Sequence, residues 1–181
     1  LWAARFDEGY LLGDSPPASA ATLKGLPMLL ESADVRVRQR LLPETCDDPE
    51  DEQQWRQHAV PELERLFASR AHLVRTDLAG LRPMPKSQNQ LLLIPFAHGN
   101  AWLAALNAAR LALFVLNELT AESMEPDAFA TVTPKQQEAL LRIHLLAEVQ
   151  SVLLGDLELE SAGPFADFVI DELVSKKGAD G

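Results

Sequence analysis

From Leu91 to Leu119 the chain reads LLLIPFAHGNAWLAALNAARLALFVLNEL, an apolar run in which Arg110 is the only strong base and Glu118 the only acid. Alanine and leucine dominate from Ala101 on, and apolar residues recur on more than one face. The pattern predicts a central buried helix over about 97–119, enclosed by other elements. At the N-terminus, LWAARFDEGYLL carries two apolar runs separated by Asp7-Glu8-Gly9, the spacing of a β-hairpin with glycine at a positive-φ position. Pro16-Pro17, Gly25 and Pro27 then punctuate the chain, and a short helix is expected from about Pro27 to Ala33. Val35 to Leu41 fits two periods. Val35, Val37 and Leu41 alternate with Arg36, Arg38 and Arg40 as in a strand, while Leu30, Ala33, Val37 and Leu41 match a helical face.

Beyond this point the signals are helical. Asp48 is placed to cap a helix with Pro49 in its first turn, and carboxylates there suit the positive end of the helix dipole. Trp55, Ala59, Leu63, Leu66, Phe67 and Val74 hold helical spacing to Leu78, through Pro61, which predicts a kink near Val60 or two abutting helices. GLRPMPKSQN, residues 80–89, reads as the longest loop, and Gln90 to Ile94 as a short buried strand or extended lead into the central helix. Residues 126–132 form a connection. Thr133-Pro134-Lys135-Gln136 is a reciprocal capping box; Leu141, Leu145, Val149 and Val152 share the face of the helix it starts, and Gly155 ends it. Pro164, Phe165, Phe168, Val169 and Leu173 describe one more docking helix, closing on Lys176 and Lys177, to pack on its own domain or on a partner. The expected fold is mostly α with a minor α+β component: a helical bundle around the central helix, with a short N-terminal hairpin. Residues 1–158 form a single domain and 159–181 a C-terminal extension.

At 181 residues the chain is long enough to bury a sizeable core without staples, and its single cysteine, Cys46, cannot form an internal bridge. Nothing at the N-terminus reads as a secretory leader, so the expected compartment is the cytoplasm; the chain does not begin with methionine, which leaves a removed leader open. Asn100, Asn107, Arg110 and Asn117 interrupt the central run, which argues against a membrane span. A net charge of −11 argues against a general nucleic-acid binder, whose phosphate contacts need clustered bases. Arg36, Arg38 and Arg40 are the one basic candidate.

Candidate chemistry is sparse. Arg110 and Asn107 are three residues apart and adjacent on one helix face with Trp102 nearby. A buried arginine needs a partner, so a carboxylate is expected against Arg110, either Glu148 or an acid in the N-terminal half of the helix over 49–78. Asn107 would then bond a neighbouring group. A structural clamp is preferred, with ligand binding by Trp102, Asn107 and Arg110 as the alternative. His58, His98 and His144 fall on or near three different helices, but their spacing gives no helix two metal ligands, and no metal site is expected. The acidic stretch ETCDDPEDE lacks the alternating ligands and glycine of a calcium loop, and its negative charge argues against a reactive nucleophile at Cys46. No catalytic residue and no cofactor can be assigned.

Three segments, RLLPETCDDPEDEQQWR (40–56), AWLAALNAARLAL (101–113) and LLAEVQSVL (145–153), together with the opening RFDEGYLL, resemble the uncharacterised bacterial family catalogued as domain of unknown function 2017. The resemblance covers most of Arg5 to Asp156. It departs near Leu111 to Leu116, where the family has a glycine-threonine-arginine turn and this chain has Leu113-Phe114-Val115-Leu116-Asn117. It implies no defined chemistry. Some members carry a transcriptional-regulator label, and in some genomes the gene neighbours that of an adaptor of the Clp protease. The expected function is a non-enzymatic protein-interaction or regulatory module, binding a protein partner or its own copy. The alternatives are a small-ligand or metal-binding enzyme near Arg110 and a transcriptional regulator.

Overall fold

The computed structural model describes residues 2–84 and 87–155. Strands β1 (Trp2–Phe6) and β2 (Gly9–Ser15) form the expected hairpin, and β4 (Gln90–Pro95) pairs with β2 on its other side. A two-residue strand β3 (Arg82–Pro83) lies within the stretch expected to be loop and completes an antiparallel sheet of order β1-β2-β4-β3. The sheet therefore extends beyond a hairpin. Alternation sorts its faces: Leu12, Leu92 and Ile94 join the main core, while Leu11 and Leu91 form a second cluster with Trp2, Met84 and Leu93.

Two glycines of β2 are required by space. A Cβ on Gly9 would collide with the Ile94 carbonyl oxygen, and one on Gly13 with the Trp2 indole. Gly9 does not have the positive φ that the turn reading assigned to it; among the described glycines that conformation belongs to Gly155. The hairpin turns on Asp7 and Glu8 instead, and glycine is needed where β4 approaches.

Two helices follow where one was expected: α1 (Pro17–Lys24) and α2 (Leu26–Leu30). Val35–Leu41 is a helix, α3, started by the Asp34 side chain accepting from the Arg36 N–H, and Val37 faces the core. Helix α4 (Pro49–Leu78) is capped by Asp48 and runs unbroken through Pro61 rather than dividing there. The central helix α5 (Gly99–Leu116) is preceded by a 3-10 turn at Phe96–His98 and stops at Asn117, slightly inside the expected limits. It packs against α2, α3, α4 and α6 and buries Trp102, Ala105, Leu106, Ala108, Ala109, Ala112 and Leu113. Small residues on two of its faces let several helices approach. The segment Phe96–Leu116 is long and apolar enough to cross a membrane by length and composition, and four helices of the chain pack against α5.

Two 3-10 turns, Glu122–Met124 and Pro126–Ala130, lead to α6 (Pro134–Leu154). Thr133 and Gln136 make the reciprocal box, and Gly155 ends the helix at φ 77°. The Tyr10 hydroxyl donates to the Leu153 carbonyl at 3.2 Å, which fastens the end of α6 to the sheet. The expected C-terminal docking helix lies outside the described residues.

Candidate functional site

The most enclosed polar cluster joins the end of α4 to the start of α5. Asp77 accepts from the Trp102 indole Nε1 at 2.8 Å, and His98 Nδ1 lies 2.9 Å from both carboxylate oxygens. A carboxylate only accepts, so His98 carries its proton on Nδ1. Asp77 has 7% of its side chain exposed and His98 30%. A ring held this way has the geometry of an oriented general base. However, neither surface depression described below includes His98, and among the described residues no hydroxyl or thiol is hydrogen-bonded to it. The two hydrogen bonds tie the end of α4 to the start of α5 at the point where the chain returns from β4.

Arg110 has a different partner from the one expected. Its Nη1 donates to Gln150 Oε1 on α6 at 2.7 Å, so a carboxamide stands where a carboxylate was anticipated, and Glu148 is exposed. The physical reason is partial exposure: a half-buried guanidinium keeps enough water that a neutral acceptor suffices. Its Nε is enclosed with no hydrogen-bond partner among the described residues. Asn107 is exposed and makes no side-chain hydrogen bond among them, while Trp102 is fully buried. Trp102 and Arg110 therefore belong to separate polar contacts, and neither depression includes Arg110.

The histidines and the arginine run are also separated. His58 and His144 are exposed on α4 and α6, and no group of three or more His, Cys, Asp or Glu among the described residues could hold a metal. Arg36 pairs with Asp34 at 2.8 Å and lies 3.7 Å from Glu118, and Arg38 pairs with Glu64. Helical geometry turns the side chain of Arg38 away from those of Arg36 and Arg40, so the three do not form one basic face.

The acidic stretch is organised by Glu52. Its Oε2 accepts from the backbone N–H groups of Thr45 and Cys46, both at 3.0 Å, and its Oε1 lies 2.6 Å from Arg56 Nε. Those backbone donors, aided by Arg56, hold the Glu52 carboxyl below its ordinary pKa. Beside it is an open depression of about 540 Å³ lined by Glu44, Cys46, Asp47, Gln53, Arg56 and Gln57. A second, of about 170 Å³, lies between α2, α3 and α4, with Leu30, Val37, Leu41, Leu42 and Phe67 on its apolar side and Arg38 and Glu64 beside them.

Both depressions border α4, and α4 is unusual within this fold. Its buried residues are Ala71, Val74 and Leu78, all near its C-terminus. Before Ala71 it carries Trp55, Ala59, Val60, Leu63, Leu66 and Phe67, none of them fully buried: Leu66 is 43% exposed and the others are half-buried, with Phe67 resting against the main core. At about 1.5 Å per residue, the stretch 49–70 extends for roughly 33 Å with its apolar face only partly covered. The sequence marked this face correctly, but periodicity alone could not tell a face covered by the domain from one left open. Asp77 was missed for a related reason: an acid at the end of an apolar helix reads as surface until the fold brings Trp102 over it.

A family model described as a domain of unknown function (DUF2017) matches residues 9–179. The match starts at the first residue of β2 and continues well past Asp156, where the resemblance read from the sequence stopped. No curated protein and no solved structure matches the chain.

Proposed function

The chain belongs to the DUF2017 family, and from that premise we propose that it is a cytoplasmic, non-enzymatic protein-interaction module that docks through the N-terminal part of α4. One observation carries the reading: six apolar residues from Trp55 to Phe67 hold helical spacing, and the chain's own described residues leave Leu66 exposed and the other five only half-buried. A helix gains its stability in water chiefly from packing an apolar face, so a run of apolar residues that its own chain covers only in part is suited to further packing. The depression between α2, α3 and α4 adds an apolar recess beside this face, with the Arg38–Glu64 pair next to it. Apolar centres with charged rims are the usual anatomy of such surfaces.

The test is photo-crosslinking in the native cell. A photoreactive aromatic residue at position 66 is expected to give a covalent adduct with a polypeptide, and the same residue at the exposed position 138 on α6 is expected to give none. The reading fails if position 66 yields no more adduct than position 138.

A further inference from the structure

We infer that the partner at the N-terminal part of α4 is a second copy of the chain, bound through antiparallel crossing of the two α4 helices on the outer side of that stretch, which carries Trp55, Ala59 and Leu66. The inference rests on the interaction reading above and names its partner. Asp51, Trp55, Ala59, Glu62, Leu66 and Arg70 follow one another at intervals of four, four, three, four and four residues. On an α-helix that spacing forms one continuous stripe. The intervals read the same in both directions, and their centre lies between Val60 and Pro61.

A two-fold axis at that centre places each residue opposite the one equally far on its other side, and two of the three resulting pairs are complementary. Asp51 meets the partner's Arg70, Trp55 meets the partner's Leu66, and Ala59 meets the partner's Glu62 where the backbones cross, the small alanine permitting close approach while Glu62 stays paired with Arg65 of its own chain. The contact is isologous, so every pair occurs twice. Asp51, Glu62 and Leu66 are exposed and Trp55, Ala59 and Arg70 half-buried, so none of the stripe is closed off by the described residues.

Charge selects the direction. Residues 44–52 hold Glu44, Asp47, Asp48, Glu50, Asp51 and Glu52 with no base, whereas 65–75 hold Arg65, Arg70 and Arg75 with no acid. Parallel pairing would set like ends together, and antiparallel pairing sets acid on base. Arg65 and Arg75 have partners within the chain, Glu62 and Glu31. Asp51 and Arg70 are in no ion pair among the described residues, and Arg70 lies over the Phe67 ring at 6.0 Å. These two unspent charges are the ones the axis brings together. Two chains of charge −11 repel at long range, and salt near physiological strength screens that repulsion beyond about 8 Å while leaving the contact pairs.

The test is sedimentation velocity on the full chain at about 0.15 M salt, from about 5 to about 200 µM, the range suited to an interface smaller than the standard size. The wild type is expected to pass from monomer to dimer. Leu66→Asp, Asp51→Arg and Arg70→Asp are each expected to weaken the dimer about tenfold or more, because each acts at two symmetric positions and the reversals set like charges together. The double variant Asp51→Arg/Arg70→Asp restores opposite charges across the axis and is expected to recover the wild-type constant within about threefold. Unchanged circular dichroism identifies the variants that fold, and the charge set decides the matter if Leu66→Asp does not. A wild type that stays monomeric throughout overturns the inference, as does a double variant no tighter than either single reversal. If the monomer still crosslinks from position 66 to a different polypeptide, only the self-pairing falls; if neither occurs, the interaction reading falls with it.

Discussion

Asp77 lies between the Trp102 indole and the His98 ring with little contact with water, and a carboxylate so placed depends on both donors. Trp102→Phe keeps most of the apolar volume and removes one donor, and is expected to cost about 1–3 kcal/mol in urea denaturation. Arg110→Met leaves Gln150 half-exposed and able to bond water, so its effect is expected to stay within about 1 kcal/mol. A large loss at Arg110 with a small one at Trp102 would reverse this assignment. Arg110 drew notice because it interrupts an apolar run, yet the run's partial exposure at that position was not legible in its spacing. Trp102 was legible as buried, but its acceptor lies on another helix and is brought close only by the return through β4. The Asp34 carboxyl is held at a pKa of about 2 by the Arg36 side chain and backbone N–H. A depressed folded value means that its contribution to the start of α3 is present above the ordinary carboxylate range and is lost as pH falls through about 2. NMR titration of the Asp34 carboxyl carbon should find a midpoint near there, and a midpoint near 4 would remove the cap from the account.

Elements differ in how strongly local chemistry determines them. The Thr133–Gln136 box was visible as four residues and needs no tertiary context; Thr133→Ala is expected to lower stability by about 1 kcal/mol in thermal denaturation. Helix α4 tolerates Pro61 because the residue is exposed and its missing N–H leaves a carbonyl that water can reach. Pro61→Ala should therefore raise the melting temperature, and an unchanged one would mean that the helix already compensates for the proline. The 35–41 segment shows the limit of pattern reading: seven residues satisfy both periods, and the Asp34 cap together with packing on α5 decided for helix. Strand β3 was invisible because two residues carry no period, and its pairing with β4 depends on the register of the longer strand. β1 has a different standing, since it is an edge strand and lies outside the family match. Deleting residues 1–8 would expose the edge of β2, a largely buried strand, and is expected to give a protein that associates at micromolar concentration in light scattering.

At the scale of the whole molecule, the mostly helical class, the central helix and the hairpin could be read because long, strongly periodic segments carry them. What α4 contacts could not be read, since an amphipathic helix looks the same whether its own domain or another chain covers it. The fold answers only in part, by burying Ala71, Val74 and Leu78 and leaving everything before them at least partly open. One helix thereby spans two levels of local stability, because opening it near Ala71 disrupts the core and opening it near Trp55 does not. Amide hydrogen exchange in dilute protein should divide α4 within a turn or so of residue 70, with slow amides on the C-terminal side and fast ones on the N-terminal side. Raising the concentration should then slow the fast half from Asp51 to Arg70 and leave the other half as it was, so that the exchange rate of a backbone amide becomes a gauge of how many copies of the chain are present.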